Sequence, residues 1–351
     1  MYTRRTYKVI DLAKWTRFET YFFFAFISVF VAAYYFFDLD WLKIPWTPLA
    51  LIGTAVAFVI SFQNNAAYGR IWEARKIWGG IVNNSRTFAM LTQDTVTNEY
   101  ATTKMSDDEL QREIKTLTYR HIAWITALRY AMRQPKPWET TVQHKTNQEW
   151  DLRPPEGQQP LNEALADYLS KEDLDKISPI DNKATALLYQ QSHHLKKLKE
   201  RGIVWEFSFL ELEALIKELF DLQGKSERIK NFPYPRQYAT LNRYFMWLLI
   251  LLLPLAMIPQ FMEIGTAMET TYPIISKLFI WFSVPMYTAI AWVFHTMERI
   301  GRTGENPFEG TSNDVPISTI ARGIEIDLRQ NLGEDKATIP TQFEERYHVQ
   351  F

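Results

Sequence analysis

Among the 351 residues, the adjacent histidines His193 and His194 are the first candidates for metal or acid–base chemistry. Neighbours on a helix point about 100° apart, and no acid or cysteine stands at ligand spacing beside them. A solvated helix face is therefore expected for the pair. His121 recurs at helical spacing with Leu117, Ile125 and Leu128 and reads as a core or interface histidine. His295 follows the last apolar stretch and could titrate, but the sequence gives it no partner. A nucleophile elbow, a P-loop and a G-x-G-x-x-G loop are all missing, so catalysis, metals and cofactors have no candidate residues. What the spacing offers instead is non-covalent. Thr54, Phe58 and Phe62 fall four residues apart and share one helix face. An aromatic stripe of this kind packs against a neighbouring helix or lipid, or else lines a narrow passage.

The element that positions the stripe is 46–75, WTPLALIGTAVAFVISFQNNAAYGRIWEAR. Pro48 suits a first helical turn, where a missing N–H costs nothing. The apolar run stops at Phe62, Gln63, Asn64 and Asn65 follow, and no proline ends the helix before Arg70, Glu73, Arg75 and Lys76. Oily turns that pass unbroken into polar ones predict a helix that leaves a bilayer and continues into water. Residues 18–37, 241–261 and 273–296 are the other expected spans, beside the short 47–62. Pro254, Pro259 and Pro285 should kink the third and fourth spans. A proline there requires neighbours that satisfy the carbonyls it frees, which predicts a bundled third helix.

Between the apolar blocks, 63–231 is polar and helical in pattern, with no sustained strand alternation. Residues 107–133 form an amphipathic helix opened by a Ser106–Glu109 capping box. Residues 134–160 hold five prolines and read as a surface loop. Helices are expected over 164–168, 183–199 and 204–220, then one after Asp314 and Pro316, with 333–351 as an extended tail. Net charge is −1, which removes the basic surplus of a nucleic-acid binder. Zero cysteines exclude disulfides and thiolate sites. Mean hydropathy of −0.23 hides the segregation of apolar residues into two blocks. Residues 1–17 lack a cleavage site after a short apolar core and read as mature sequence. Both termini and the 70–76 side are basic, whereas the remaining loops are acidic or neutral, so both termini are expected in the cytoplasm.

The run FQNNAAYGRIWEARKIWG, the block RIKNFPYPRQYA at 228–239 and the block NPFEGTSNDVPISTIARGIEIDLRQNLGE at 306–334 resemble bacterial bestrophin homologues, in family order. The resemblance implies an all-α integral membrane protein of the bacterial inner membrane. Each subunit would have four transmembrane helices and a helical cytosolic domain, assembled as a pentameric barrel around a central pore that passes ions. The division it implies is 1–62 with the pore helix 47–62, the cytosolic 63–231, the spans of 232–297, and the cytosolic 298–351. It assigns Thr54, Phe58 and Phe62 to a hydrophobic neck, with Thr54 in place of the family's usual apolar residue. Apolar rings around a narrow axis resist wetting. A cytosolic aperture falls at Phe207, with Val204 and Phe209 as register alternatives. The calcium clasp of animal bestrophins matches Thr303, Asn306, Thr311 and Asp314, a set with one carboxylate, where calcium takes six to eight oxygens. No metal is expected there, and Asp314 reads as a helix N-cap. Asp38, Asp40, Glu263 and Glu269 would ring the outer entrance and raise local cation concentration, which leans the expectation to monovalent cations such as sodium over chloride. A protein of another class, whose helices merely anchor a signalling or enzymatic domain, would need a catalytic cluster in 63–231, and the sequence offers none.

Overall fold

The computed structural model describes residues 1–37, 39–139, 148–149 and 153–351, and of Asp40 its backbone alone. Among them the chain is helical, with isolated bridges such as Tyr2 to Val349 in place of strands. It forms two compact units. The first comprises Met1–Thr3, Arg70–Phe232 and Asn306–Phe351, and the second Arg4–Gly69 and Pro233–Glu305.

The second unit holds helices α1 (Val9–Phe37) and the start of α2 (Trp46–Thr95). Four helical segments are long and apolar enough to cross a membrane: α1, α2, the 32-residue Arg236–Ala267, and Pro273–Thr303. Their core is built at helical spacing. Phe23, Ile27, Val31 and Tyr34 of α1 cluster with Val56 and Ile60 of α2 and with Tyr287 and Ala291 of the last span. The helix Arg236–Ala267 is the most buried of the four, and its prolines explain why. Pro254 frees the Ile250 carbonyl, which accepts the Tyr287 hydroxyl at 3.0 Å. Pro259 frees the Leu255 carbonyl, which accepts the Ile44 N–H at 3.3 Å. Both lost bonds are replaced from neighbouring segments, as a proline at membrane depth demands. Pro285 behaves differently from the expected kink. The last span is broken earlier, by a 3₁₀ turn at Phe279–Phe282, and Pro285 lies in the first turn of Ser283–Thr303, where its missing N–H had no intrahelical partner to lose.

The first unit is organised on α3 (Asp107–Arg133), opened by the expected Ser106–Glu109 capping box and buried at every position from His121 to Tyr130. Around it lie α4 (Leu161–Ala166), α5 (Lys171–Ile177), α6 (Lys183–Glu200) and α7 (Glu206–Asn231). In the second unit follow α8 (Arg236–Ala267), α9 (Pro273–Leu278) and α10 (Ser283–Thr303), and α11 (Ile317–Asn331) returns to the first. Gly202, at φ +72°, makes the turn into α7, where a Cβ would strike the Tyr100 carbonyl at 2.1 Å.

Three sequence expectations need correcting here. The proline-rich stretch is not all surface. Residues 140–147 and 150–152 lie outside the described residues, but Glu156 is buried, its Oε1 accepting from Arg129 at 2.5 Å and from the Ser318 hydroxyl at 2.6 Å. The C-terminal residues are not a free tail either. Val349 and Phe351 are buried with Tyr2, and the Phe351 carbonyl accepts the Thr319 N–H at 2.7 Å. A third difference is the helix α5, where polar residues at all but two positions hid the helical period.

Candidate functional site

On α2, backbone geometry fixes which side chains pack and which stand out. Leu49, Val56, Ile60, Gln63 and Ala67 are buried on one face. Thr54 is exposed with Phe58 at 62% and Phe62 at 70%, on the other. Both rings stand clear of the chain's own core, so within one chain this face has no internal packing role. The Thr54 hydroxyl donates to the Ala50 carbonyl at 2.9 Å, which leaves the face its methyl group and oxygen lone pairs.

Directly after Phe62 the helix is clamped by polar groups that are themselves buried. Gln63 Nε2 donates to Glu305 Oε1 at 3.0 Å, and Gln63 Oε1 accepts from Asn242 Nδ2 at 3.0 Å. Arg236 donates to the other Glu305 oxygen at 2.9 Å. Burial pushes the Glu305 carboxyl above its ordinary range, although the Gln63 amide and the Arg236 guanidinium pull the other way. Beside the clamp, a Cβ on Gly301 would come within 2.6 Å of Asn64 Oδ1, so any larger residue there requires the Asn64 amide to move aside. The sequence showed an amide cluster at 63–65; its partners, at 242 and 305, are too distant in sequence to be read.

At the start of α7, Phe207 is 62% exposed, Val204 is buried at 1%, and Phe209 packs on the core. Of the three register alternatives, Phe207 is therefore the one whose ring is free of the interior. It touches Trp205 at 4.7 Å between ring centroids, and Trp205 stacks on Tyr100 at 5.6 Å.

In the loop before α11, Asp314 is not an N-cap. The cap position is Pro316, and the Asp314 carboxylate turns back to accept the N–H groups of Gly310 at 2.6 Å and Thr311 at 2.9 Å and the Thr311 hydroxyl at 2.8 Å. Asn306 donates to Glu309 at 2.7 Å, a second buried carboxylate that the matched positions did not count. Thr303 donates back to the Ile300 carbonyl of its own helix at 3.0 Å. Among the described residues no three potential ligands converge on a metal position.

Of the outer acids, Asp38 lies outside the described residues and so does the side chain of Asp40. Glu263 is engaged by Lys43 in an ion pair, and Glu269 is exposed. The ion pair corrects the count of free negative charges, because the same short loop that carries the aspartates supplies the lysine. The histidine pair also needs revising. His193 is exposed, but His194 is half-buried, with Nε2 2.9 Å from Glu113 Oε2 and Nδ1 2.9 Å from Arg120. His121 is buried and stacked on Phe88 at 5.0 Å, as a core histidine should be. His295 packs edge-on against Phe23 and Trp247. Nearby, Arg299 donates to Glu19 at 3.2 Å and to the Trp15 carbonyl at 2.8 Å while lying over the Trp15 ring. That pairing gives the one acid of the first span a buried partner.

These features define an all-helical membrane protein with four spanning segments and a separate helical unit. A family profile described as "Bacterial/Fungal Bestrophin protein" matches residues 18–330, and the chain belongs to the bestrophin family. It is similar to the voltage-dependent anion channel-forming protein YneE of Escherichia coli K12, at 26% identity over 90% of this chain and 86% of that protein. A voltage-dependent anion channel-forming protein of Mesorhizobium japonicum is likewise 26% identical, over 88% of this chain and 82% of its own length. The solved structure of a bacterial bestrophin homologue from Klebsiella pneumoniae shares the fold at a TM-score of 0.69. It is 18% identical, across 91% of this chain and 98% of that one.

Proposed function

We propose that this protein is a passive anion channel, in which five copies surround one axial pore in the bacterial inner membrane. The observation that carries the reading is the uncovered face of α2. A helix packed on one side by Val56, Ile60 and a buried Gln63 presents Phe58 and Phe62 to something outside its own chain, and a shared axis suits them. Thr54, Phe58 and Phe62 then form a neck whose narrow apolar wall sheds water unless it widens. Phe207 forms a second constriction on the cytosolic side. Residues 63–231 and 298–351 make the cytosolic part, and both termini lie in the cytoplasm.

Two points favour anions over the cations first expected. The relatives carry anion-channel names, and the outer acids lose Glu263 to Lys43. Phenyl rings that turn their edges to the axis present a weakly positive rim, which suits an anion that has shed part of its hydration. The reading is non-enzymatic, and the spans are the working part rather than an anchor. Purified protein in planar bilayers under a potassium chloride gradient tests it: the reversal potential is expected near the chloride equilibrium value. A reversal near the potassium value would transfer the assignment to cations, and no current in any salt would favour a membrane anchor.

A further inference from the structure

Away from α2, a cleft of about 700 Å³ opens in the first unit between α3, α5 and α6. One wall is Arg120, whose guanidinium is almost wholly buried. It donates to His194 Nδ1 at 2.9 Å, to Gln191 Oε1 at 3.3 Å and to Asp173 at 3.2 Å. A guanidinium can only donate, so His194 Nδ1 accepts, and the imidazole proton sits on Nε2, facing Glu113. Both inner carboxylates are thereby engaged, Asp173 by Arg120 and Glu113 by His194. Of the outer groups, Glu200 is held by Lys196 at 3.8 Å and Lys176 by Glu172 at 2.6 Å. Lys197 and Arg201, four residues apart at the end of α6, have no side-chain hydrogen bond or ion pair among the described residues. The side-chain oxygen of Gln190, also in the wall, is covered and has no donor.

Engaged acids, two cations that no acid holds by a hydrogen bond, although Arg201 acts through space on Glu113 and Glu109, and an orphaned amide oxygen suit a ligand with several negative oxygens and a hydroxyl. Leu198 is the one apolar residue in the lining, which is otherwise polar or charged. We propose that the cleft binds a small hydroxylated polycarboxylate, a molecule of citrate's chemical class. Its carboxylates meet Lys197 and Arg201, and its hydroxyl donates to Gln190 once that amide turns inward. Cations at a helix C-terminus also complement the helix dipole, a role that needs no ligand, and the test separates the two.

The probes are citrate and tricarballylate, which lacks the hydroxyl, titrated calorimetrically into the full-length protein in detergent at low salt. Citrate is expected to bind saturably and more tightly than tricarballylate. The double variant Lys197→Gln/Arg201→Gln should weaken both by about tenfold or more, as loss of charge-assisted hydrogen bonds does. Gln190→Leu should erase the preference for citrate and leave tricarballylate unchanged. Lys217→Gln, an exposed residue of α7 outside the lining, should leave both as they were. Gel filtration and the thermal midpoint check that each variant is folded. No saturable citrate heat up to about 10 mM, beyond which binding is weaker than a specific site gives, would overturn the proposal. So would equal losses in Lys217→Gln and the double variant, or a double variant that binds normally.

Discussion

His121 has both ring nitrogens buried without a hydrogen-bond partner, and burial lowers its pKa from 6.5 to about 3. The sign of the consequence follows from linkage. Below pH 6.5 the unfolded chain takes up a proton that the folded chain refuses, so stability falls as pH drops toward about 3. Between pH 7 and 5 the loss is about 2 kcal/mol, from roughly 1.5 pH units at 1.36 kcal/mol each. His121→Phe should remove that part of the acid slope in thermal midpoints and stabilise the protein at pH 5. Glu156 does not interfere in this window. Burial alone would raise its pKa, but Arg133, Arg129 and the Ser318 hydroxyl outweigh burial and hold it below 4.5, so its contribution disappears only as pH falls below that value. An identical slope in the variant would assign the acid sensitivity elsewhere. His121 was legible because its helix neighbours are apolar at spacings of three and four. His194 was not, because its partner Glu113 is 81 positions away on another helix.

At the level of elements, α2 couples its exposed aromatic face to the buried polar clamp one residue further on. Replacing Phe58 and Phe62 together with alanine should raise anion flux into proteoliposomes, since it removes the rings that resist wetting. Unchanged flux from a normally assembled variant would take both residues out of the pathway. The clamp makes a finer prediction. Glu305→Gln keeps an oxygen for the Gln63 N–H and gives up the one that Arg236 reaches; because the Arg236 side chain is half exposed and can turn to water, flux should stay within about twofold. Glu305→Leu leaves the Gln63 amide and Arg236 without an acceptor. It should cost about 1–3 kcal/mol of stability and change flux as the helix end loses its fixed orientation. Equal behaviour of the two variants would mean that shape, not hydrogen bonding, holds the helix. The four spans, the α3 capping box and the need for a bundled α8 could all be read from local pattern. The clamp, the break at Phe279–Phe282 and the docking of Val349 and Phe351 could not. Each depends on which distant segment supplies an acceptor or an apolar surface, and periodicity carries no information about that.

For the whole molecule, the claim with most at stake is that the α2 faces of identical copies meet at one axis. One chain contributes one such face, so a conduit needs a closed ring, and five is the number the family resemblance supplies. The absence of cysteine makes this testable without background. A cysteine at Phe62 in an otherwise unaltered chain can pair only with its counterpart in another copy. Disulfides form when Cα atoms approach within about 4.4–6.8 Å, so pairing reports copies whose α2 faces come together as they fluctuate about the axis. Mild oxidation of Phe62→Cys in membranes should therefore give covalent dimers, and gel densitometry should plateau at about four fifths of the chains, because a ring of five always leaves one cysteine unmatched. An even-numbered ring has no such ceiling. Val29→Cys, on the outward face of α1 at 67% exposure, should stay monomeric under the same treatment. Dimers from both positions would indicate random collision in the bilayer. No dimers from Phe62→Cys, in protein that still conducts, would separate conduction from this face of α2 and require another pore.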